Sequence, residues 1–594
     1  MTIARKYSII TTIEEKEMRE RLVENTVDKQ MRRAIASTAI VLVVIVAVLA
    51  FILVQKNTPS KERIVLNEYY TMTSDEAMII LQGKVYEKNA KVEDDTFYLD
   101  LNTVKEQLNK TFYYDTEEKV LTVTTPTEIV QVYLEQKEYY SNKIKQSTEV
   151  PILRELQGEV YISIEFVAQY SDFQYAHYVA PNRLIIWNEW NDVLCYDTKK
   201  DTVLRVEASI KSDIIADISA EQALWYIDAN GAEGRKFVKV MTEDGLFGFV
   251  KKTDLTDSYY VTLKSNYVEP EYTHITSDET IVLGWHVVTN MQANMYLESM
   301  VSNNPALNVI SPTWFRLIAT DGSISSLASS EYVAKAHALG LEVWGLIDNF
   351  ASDVSSYETL SSTASRARLI DALLEEAVKH DLDGLNIDFE ELSLETGIHY
   401  IQFLKELSVV CRTNGIVLSV DNYVPTTEGA YYDLPTQGKI VDYVVIMAYD
   451  EHYSGSQQAG SVASIGYVEQ AIANTCAVMP KERVIMGIPF YTRLWKEKEE
   501  NGTVKVTSEV QTMVAAELEL ARNGVKAEWD AQTAQYYAEY EKDSFVYKIW
   551  LEEKDSLREK LTRIEQADLA GIAAWRLGLE DVDVWDVILE YANK

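Results

Sequence analysis

Asn386, Asp388 and Glu390 stand at every second position of the stretch Asp383-Gly-Leu-Asn-Ile-Asp-Phe-Glu390, with Leu385, Ile387 and Phe389 between them. Successive side chains of a strand point to opposite faces, so the polar three share one face and the apolar three the other. In a barrel of parallel strands the first face looks inward and the second packs beneath a helix. Glu390, the most C-terminal of the three, then stands at the barrel mouth. A carboxylic acid there, with a second carboxylate one step below, is equipment for cleaving a glycosidic bond by proton transfer. An isolated Asp-x-Glu can also cap a helix or bind a surface cation, so the reading depends on the surrounding elements.

From Glu279 onward, apolar strand-like runs alternate with amphipathic helical patterns. Candidate strands begin at Ile281, Asn308, Leu341, Leu382, Val417, Tyr443, Val484 and Gly571. Eight such units over 279–594 predict a (β/α)8 TIM barrel, with 496–550 as an insertion before the last strand. The predicted strand ends carry Trp285, Trp314, Asn422, Met447, Tyr449, Asp450, Tyr491, Arg493 and Trp575. A single aromatic at a strand end is more often core than ligand platform. Here the order of these residues along strands ending at one face makes them candidate pocket lining.

The full string resembles the signature of glycoside hydrolase family 18, the chitinase-like enzymes: Asp-Gly-x-Asp-x-Asp-x-Glu on the fourth strand of a TIM barrel. Asn386 departs from it, replacing the first Asp of the pair. Met447-Ala-Tyr-Asp450 is similar to the family's Met-x-Tyr-Asp on the sixth strand, and Trp575 matches the tryptophan floor of its sugar subsite. The resemblance implies a retaining mechanism assisted by the substrate's own 2-acetamido group. In it Glu390 is the acid and then the base, Asp388 orients the acetamide N–H, and Tyr449 donates to the acetamide oxygen. Asp383, Met447, Asp450, Trp575, Trp285, Asn422, Tyr491 and Arg493 are the expected substrate-binding residues. The implied partner is an N-acetylated glycan, and no cofactor or metal is expected. At Asn386 the expectation is an amide that donates to ionised Asp388 without adding charge, widening the pH range in which Asp388 stays ionised.

The third strand ends in Leu346-Ile-Asp-Asn-Phe350, without the Ser-x-Gly-Gly common in chitinases of this family. With the Asn386 departure it looks like the branch containing spore-cortex and peptidoglycan N-acetylglucosaminidases. Peptidoglycan is therefore the expected substrate, with chitin oligomers second. A non-catalytic glycan-binding protein and a membrane-tethered scaffold are the rivals from other classes.

The rest of the chain reads as a multidomain envelope protein. Net charge is −36 over 594 residues, which disfavours nucleic acid as a partner. Three distant cysteines and seven scattered histidines offer neither a disulfide framework nor a spaced metal site. Residues 34–54 form an uncharged apolar run of 21, long enough to span a bilayer. The 33 residues before it carry eight Lys/Arg against six Asp/Glu, so positive-inside bias predicts a cytoplasmic tail and an extracytoplasmic remainder. A cleaved signal peptide is the alternative.

Residues 65–190 show a weak repeat of strand, short helix and hairpin, running from Phe97 and again from Val160. This α+β segment resembles the stalk domain first described at the N-terminus of copper amine oxidases, a likeness that implies no copper chemistry. Residues 200–262, with Gly245 and Gly248 bracketing a hairpin, resemble a small all-β bacterial Src-homology-3-like module that either grips wall peptides or spaces domains.

Overall fold

A computed structural model describes residues 4–227, 235–427, 429–500 and 502–593. The chain forms two compact units, Met1–Tyr98 with Phe173–Asn266, and Leu99–Asp172 with Tyr267–Lys594. The predicted 65–190 segment is thus divided between them, and 228–234 of the predicted 200–262 module lie outside the described residues.

In the first unit, Ala4–Asn57 is one continuous helix. Its part Glu14–Asn57 is, by length and composition alone, a candidate membrane span, with a peak window hydropathy of 3.2. Strand Glu76–Leu81 pairs in parallel with Arg183–Trp187 and antiparallel with Lys84–Glu93. A second, wholly antiparallel sheet runs from Asp192–Asp197 to Tyr259–Thr262. Met78, Ile80, Ile185 and Met241 form a shared core, and Trp187 stacks on Trp225 at 4.8 Å. Gly245 takes a left-handed φ of 79° in the turn between Phe237–Met241 and Phe247–Lys251. The predicted repeat order is present. Thr96–Asp100, helical Leu101–Thr103 and the Tyr113–Asp115/Val120–Thr124 hairpin are matched by Glu159–Ser163, Ile164–Val167 and the Gln174–Tyr178/Arg183–Trp187 hairpin.

The second unit contains the barrel. Its strands are β1 (Ile281–His286), β2 (Val309–Leu317), β3 (Glu342–Asp348) and β4 (Gly384–Asp388). They continue with β5 (Val417–Tyr423), β6 (Tyr443–Met447), β7 (Val484–Pro489) and β8 (Gly571–Trp575). All pair in parallel, and β1 bonds both β2 and β8, so the barrel closes.

Strand alternation divides the core into two layers. Trp285, Trp344, Leu346, Val445, Met447 and Ala573 pack inside the barrel. Their sequence neighbours, among them Val343, Ile387, Val420, Ile446 and Ile572, pack outward with the helices. The insertion is larger than predicted and starts at Tyr491: five antiparallel strands, from Tyr491–Glu500 to Phe545–Leu551, with helix Met513–Asn523 against them. Five further antiparallel strands, from Tyr113–Asp115 to Ile144–Ser147, belong to the same unit.

Candidate active site

β4 has the predicted alternation. Leu385 and Ile387 enter the outer core, while Asn386 and Asp388 are buried on the inner face. Glu390 follows two residues past the strand, and Asn349, just past β3, holds its backbone on both sides. The Asn349 Oδ1 accepts from Glu390 N at 2.9 Å, and Asn349 Nδ2 donates to Glu390 O at 2.9 Å. The Tyr423 hydroxyl donates to Glu390 Oε2 at 2.5 Å.

Glu390, Asp388 and Tyr449 line one cleft of about 590 Å³ at the C-terminal end of the strands. Trp285, Met447, Asp450, Arg493 and Trp575 line it too. The Trp285 ring stands edge-on to Trp575 at 5.6 Å and to Tyr449 at 6.5 Å. A side chain at Gly487 on β7 would sit 3.1 Å from the Tyr449 ring, so this glycine leaves room for the tyrosine. A second hollow of about 530 Å³ shares Phe350, Glu390 and Glu391 with the cleft.

Burial holds the Glu390 carboxyl above the usual carboxylate range, against the opposing pull of the Tyr423 bond. Asp388 is raised further, by burial first and then by the charges of Asp421, Glu390 and Asp348. Burial likewise keeps the Tyr449 hydroxyl protonated, and therefore a donor. A glutamic acid that retains its proton is suited to protonate a leaving oxygen.

Expectations at five residues need correction. The Asn386 amide does not donate to Asp388. Its Nδ2 donates to Asp421 Oδ1 at 2.7 Å and to Ser419 Oγ at 3.0 Å, while its Oδ1 accepts from Trp285 Nε1 at 3.0 Å. The amide therefore does not hold Asp388 ionised, and burial with neighbouring charge pushes the Asp388 carboxyl up. Asp383 lies at the opposite end of β4 from Glu390, where its carboxylate accepts from Val343 N and faces His337 Nε2, both at 2.8 Å. It ties strand ends together at the barrel floor. Asn422 has the outward parity of β5 and exchanges hydrogen bonds with Gln437 at 2.8 and 3.1 Å. Trp314 also faces outward, its Nε1 donating to Asn294 Oδ1 at 2.8 Å. Tyr491 is a supporting residue, donating to Asp450 Oδ1 at 2.6 Å.

The cleft also holds residues that the sequence reading missed. Asp421 and Tyr423 flank Asn422 and line the cleft. The signal was available in principle, since β5 pairs Ser419 with Asn386 and so puts 419, 421 and 423 on the inner face. Tyr453 and Tyr467, on and after the loop following β6, also line it, and no local pattern marks them.

Residues 333–580 match the profile described as Glycosyl hydrolases family 18, and residues 79–177 match that of the Copper amine oxidase N-terminal domain. The family 18 match falls within the barrel and covers strands β3 to β8. That relationship places it among glycosidases. The chain is similar to Uncharacterized glycosylase YvbX of Bacillus subtilis, at 25% identity over 46% of this chain and 84% of that protein. It is similar to Cortical fragment-lytic enzyme of Bacillus anthracis, at 28% identity over 41% of this chain and 57% of that one. The crystal structure of the Bacillus cereus spore cortex-lytic enzyme SleL superposes with a TM-score of 0.48 at 22% identity, covering 56% of this chain and 78% of that one.

Proposed function

We propose that the protein is a membrane-anchored, extracytoplasmic glycosidase that cleaves β-linked N-acetylglucosamine glycans, with peptidoglycan as its substrate. The observation that carries this reading is the convergence of three groups in one cleft: Glu390, whose carboxyl burial pushes up, the buried Asp388 and the hydroxyl of Tyr449. The names of relatives such as Cortical fragment-lytic enzyme support a wall glycan over chitin. The apolar N-terminal helix supports anchoring at a membrane.

In this mechanism the 2-acetamido carbonyl oxygen attacks the anomeric carbon, while Glu390 gives its proton to the leaving oxygen. An oxazolinium forms with Asp388 against its N–H. Tyr449 donates to the acetamide oxygen and holds it in line. Water then attacks the anomeric carbon as Glu390 takes one of its protons; the bond from that carbon to the acetamide oxygen breaks, the acetamide is regenerated, and the configuration is retained overall. Trp575 and Trp285 supply aromatic faces for the sugar ring. In this reading the two small N-terminal modules space the barrel from the membrane or grip the wall.

Full-length protein in detergent should release new N-acetylglucosamine reducing ends from purified peptidoglycan, identified by mass spectrometry, with Glu390→Gln inactive. Release only from chitin oligomers would move the substrate to chitin. Glycan binding without turnover by the unaltered protein would make it a lectin.

A further inference from the structure

The barrel register places four charged residues in one row across adjacent strands: Arg316 beside Asp348, Asp348 beside Asp388, and, one step past the Ile387–Val420 pair, Asp388 beside Asp421. Neighbouring strands lie about 4.8 Å apart, so these inward-facing carboxyls are close neighbours. The cation of the row is engaged at its outer end, where Arg316 grips Asp348 with two bonds of 2.6 and 2.8 Å. Asp388 and Asp421 have no such partner. No lysine or arginine hydrogen-bonds either one among the described residues, and Asp388 Oδ1 is buried without a hydrogen-bond partner. Glu390 and the Tyr449 hydroxyl face the pair, the buried phenols of Tyr400 and Tyr432 lie within its electrostatic reach, and the Asn386 amide donates to Asp421 Oδ1 at 2.7 Å.

Like charges at adjacent, largely buried cross-strand positions repel, which favours a proton on one of the two. We propose that Asp421 is the proton partner of Asp388. The two carboxyls hold one proton between them, and Asp421 on β5 takes up the position in the charge balance that Asn386 leaves empty on β4. This rests on the glycosidase reading above.

Before reaction the proton is on Asp388 and the negative charge on Asp421, where the Asn386 amide stabilises it. As the acetamide closes on the anomeric carbon and its N–H gains positive charge, the proton passes to Asp421, and ionised Asp388 accepts the N–H hydrogen bond. On hydrolysis the proton returns. The pair's net charge stays constant, and the proton delivered to the leaving oxygen comes from Glu390 alone. Asp421 is thus a positioning residue that acts through Asp388. Asn386 is part of the same device, because its amide fixes which carboxyl is the resting anion.

The test has one arm without turnover and one with it. The protonated-carboxyl band is followed by infrared spectroscopy against pH in full-length Glu390→Gln protein, where the acid is removed. Adding Asp421→Asn should move the midpoint of that band down by about one pH unit or more, as loss of a like-charged neighbour requires. An unmoved midpoint overturns the proposal, whatever the substrate proves to be. With Glu390 intact, Asp421→Asn should lower kcat about 10- to 100-fold with KM nearly unchanged and shift the acid limb of the pH–rate profile. Asp388→Asn combined with Asp421→Asn should cost little more than Asp388→Asn alone, since the two act as a unit. A superimposable pH profile or fully additive losses would also overturn it. Absence of turnover in the unaltered protein would instead defeat the functional reading and leave the infrared result standing.

Discussion

Two clusters of buried acids sit in the same unit and are built on opposite principles. On the barrel flank, Arg366 is 0% exposed and Glu406 2%, and they pair at 3.1 Å. All three nitrogens of the guanidinium donate. It donates to the Tyr113 hydroxyl at 3.1 Å, to Leu360 O at 2.7 Å and to Thr363 Oγ1 at 3.2 Å, and it lies over the Tyr113 ring at 4.5 Å. Gln402 closes the set, donating to Glu406 at 2.8 Å and to Thr124 at 3.1 Å. Glu552 and Lys560, paired at 2.8 Å beside the insertion, follow the same rule. In the cleft, by contrast, no lysine or arginine pairs with Asp388, Asp421 or Glu390 among the described residues; Arg493, which also lines it, lies nearest Asp450 at 4.0 Å. Complete compensation marks a structural ion pair; uncompensated carboxyls in a concave site mark chemistry.

Substitutions should separate the two clusters cleanly. Glu390→Gln is expected to lower turnover by about 10²–10⁴-fold, the range for a general acid. The thermal midpoint at neutral pH should hold or rise, because a buried carboxyl without a cation is replaced by a neutral amide. A variant that lost activity and stability together would place Glu390 in the structural class.

Arg366→Met inverts that outcome. Leaving Glu406 buried and unpaired should cost about 3–5 kcal/mol of barrel stability, read as a fall in the unfolding midpoint, while kcat per folded molecule stays close to its original value. Arg366→Met combined with Glu406→Leu should recover much of the loss. The same variant tests how firmly the 99–172 segment is fixed to the barrel, since Tyr113 and Thr124 come from that segment.

The clusters also predict different pH behaviour. Asp388, Asp421 and Glu390 all have folded-state values raised by burial. A raised carboxyl contributes stability that is fully present below its unfolded value and is lost as pH rises through its folded value. The unfolding midpoint of the barrel should therefore fall as pH is increased from the ordinary carboxylate range toward neutrality and above. Asp421→Asn should flatten that fall. An unchanged slope would mean that these acids titrate in the folded protein as they do in water.

How much of this was legible in the sequence follows from the range of the signal. The eight strands and the inward set Asn386, Asp388 and Glu390 depend on a period of two within one segment, and local spacing carries that. Asp383 misled because a motif is written as a line, whereas seven extended steps along the chain, through the five residues of β4, separate the barrel floor from the mouth by about 20 Å. Asn422 misled because a polar residue near a strand end looks like lining until the register with β4 fixes its parity. Asp421 and the Asn386 bond to it needed that same cross-strand register. The Arg366 network joins residues hundreds of positions apart, and no spacing rule reaches that far.

The smallest expected effect defines the lower end of the comparison. Lys143 pairs with Asp371 at 2.5 Å, also linking the 99–172 segment to a barrel helix, but the two side chains remain 72% and 52% exposed. An ion pair in water gains little Coulomb energy, costs side-chain entropy to hold, and is screened by salt. Lys143→Ala should shift stability by no more than about 0.5–1 kcal/mol, less still at high ionic strength, and leave turnover unchanged. Chemical denaturation at low and high salt measures it. A loss approaching that of Arg366→Met would mean that attachment of the segment, rather than burial of charge, governs stability on this flank, and the contrast drawn with the cleft would then rest on the cleft alone.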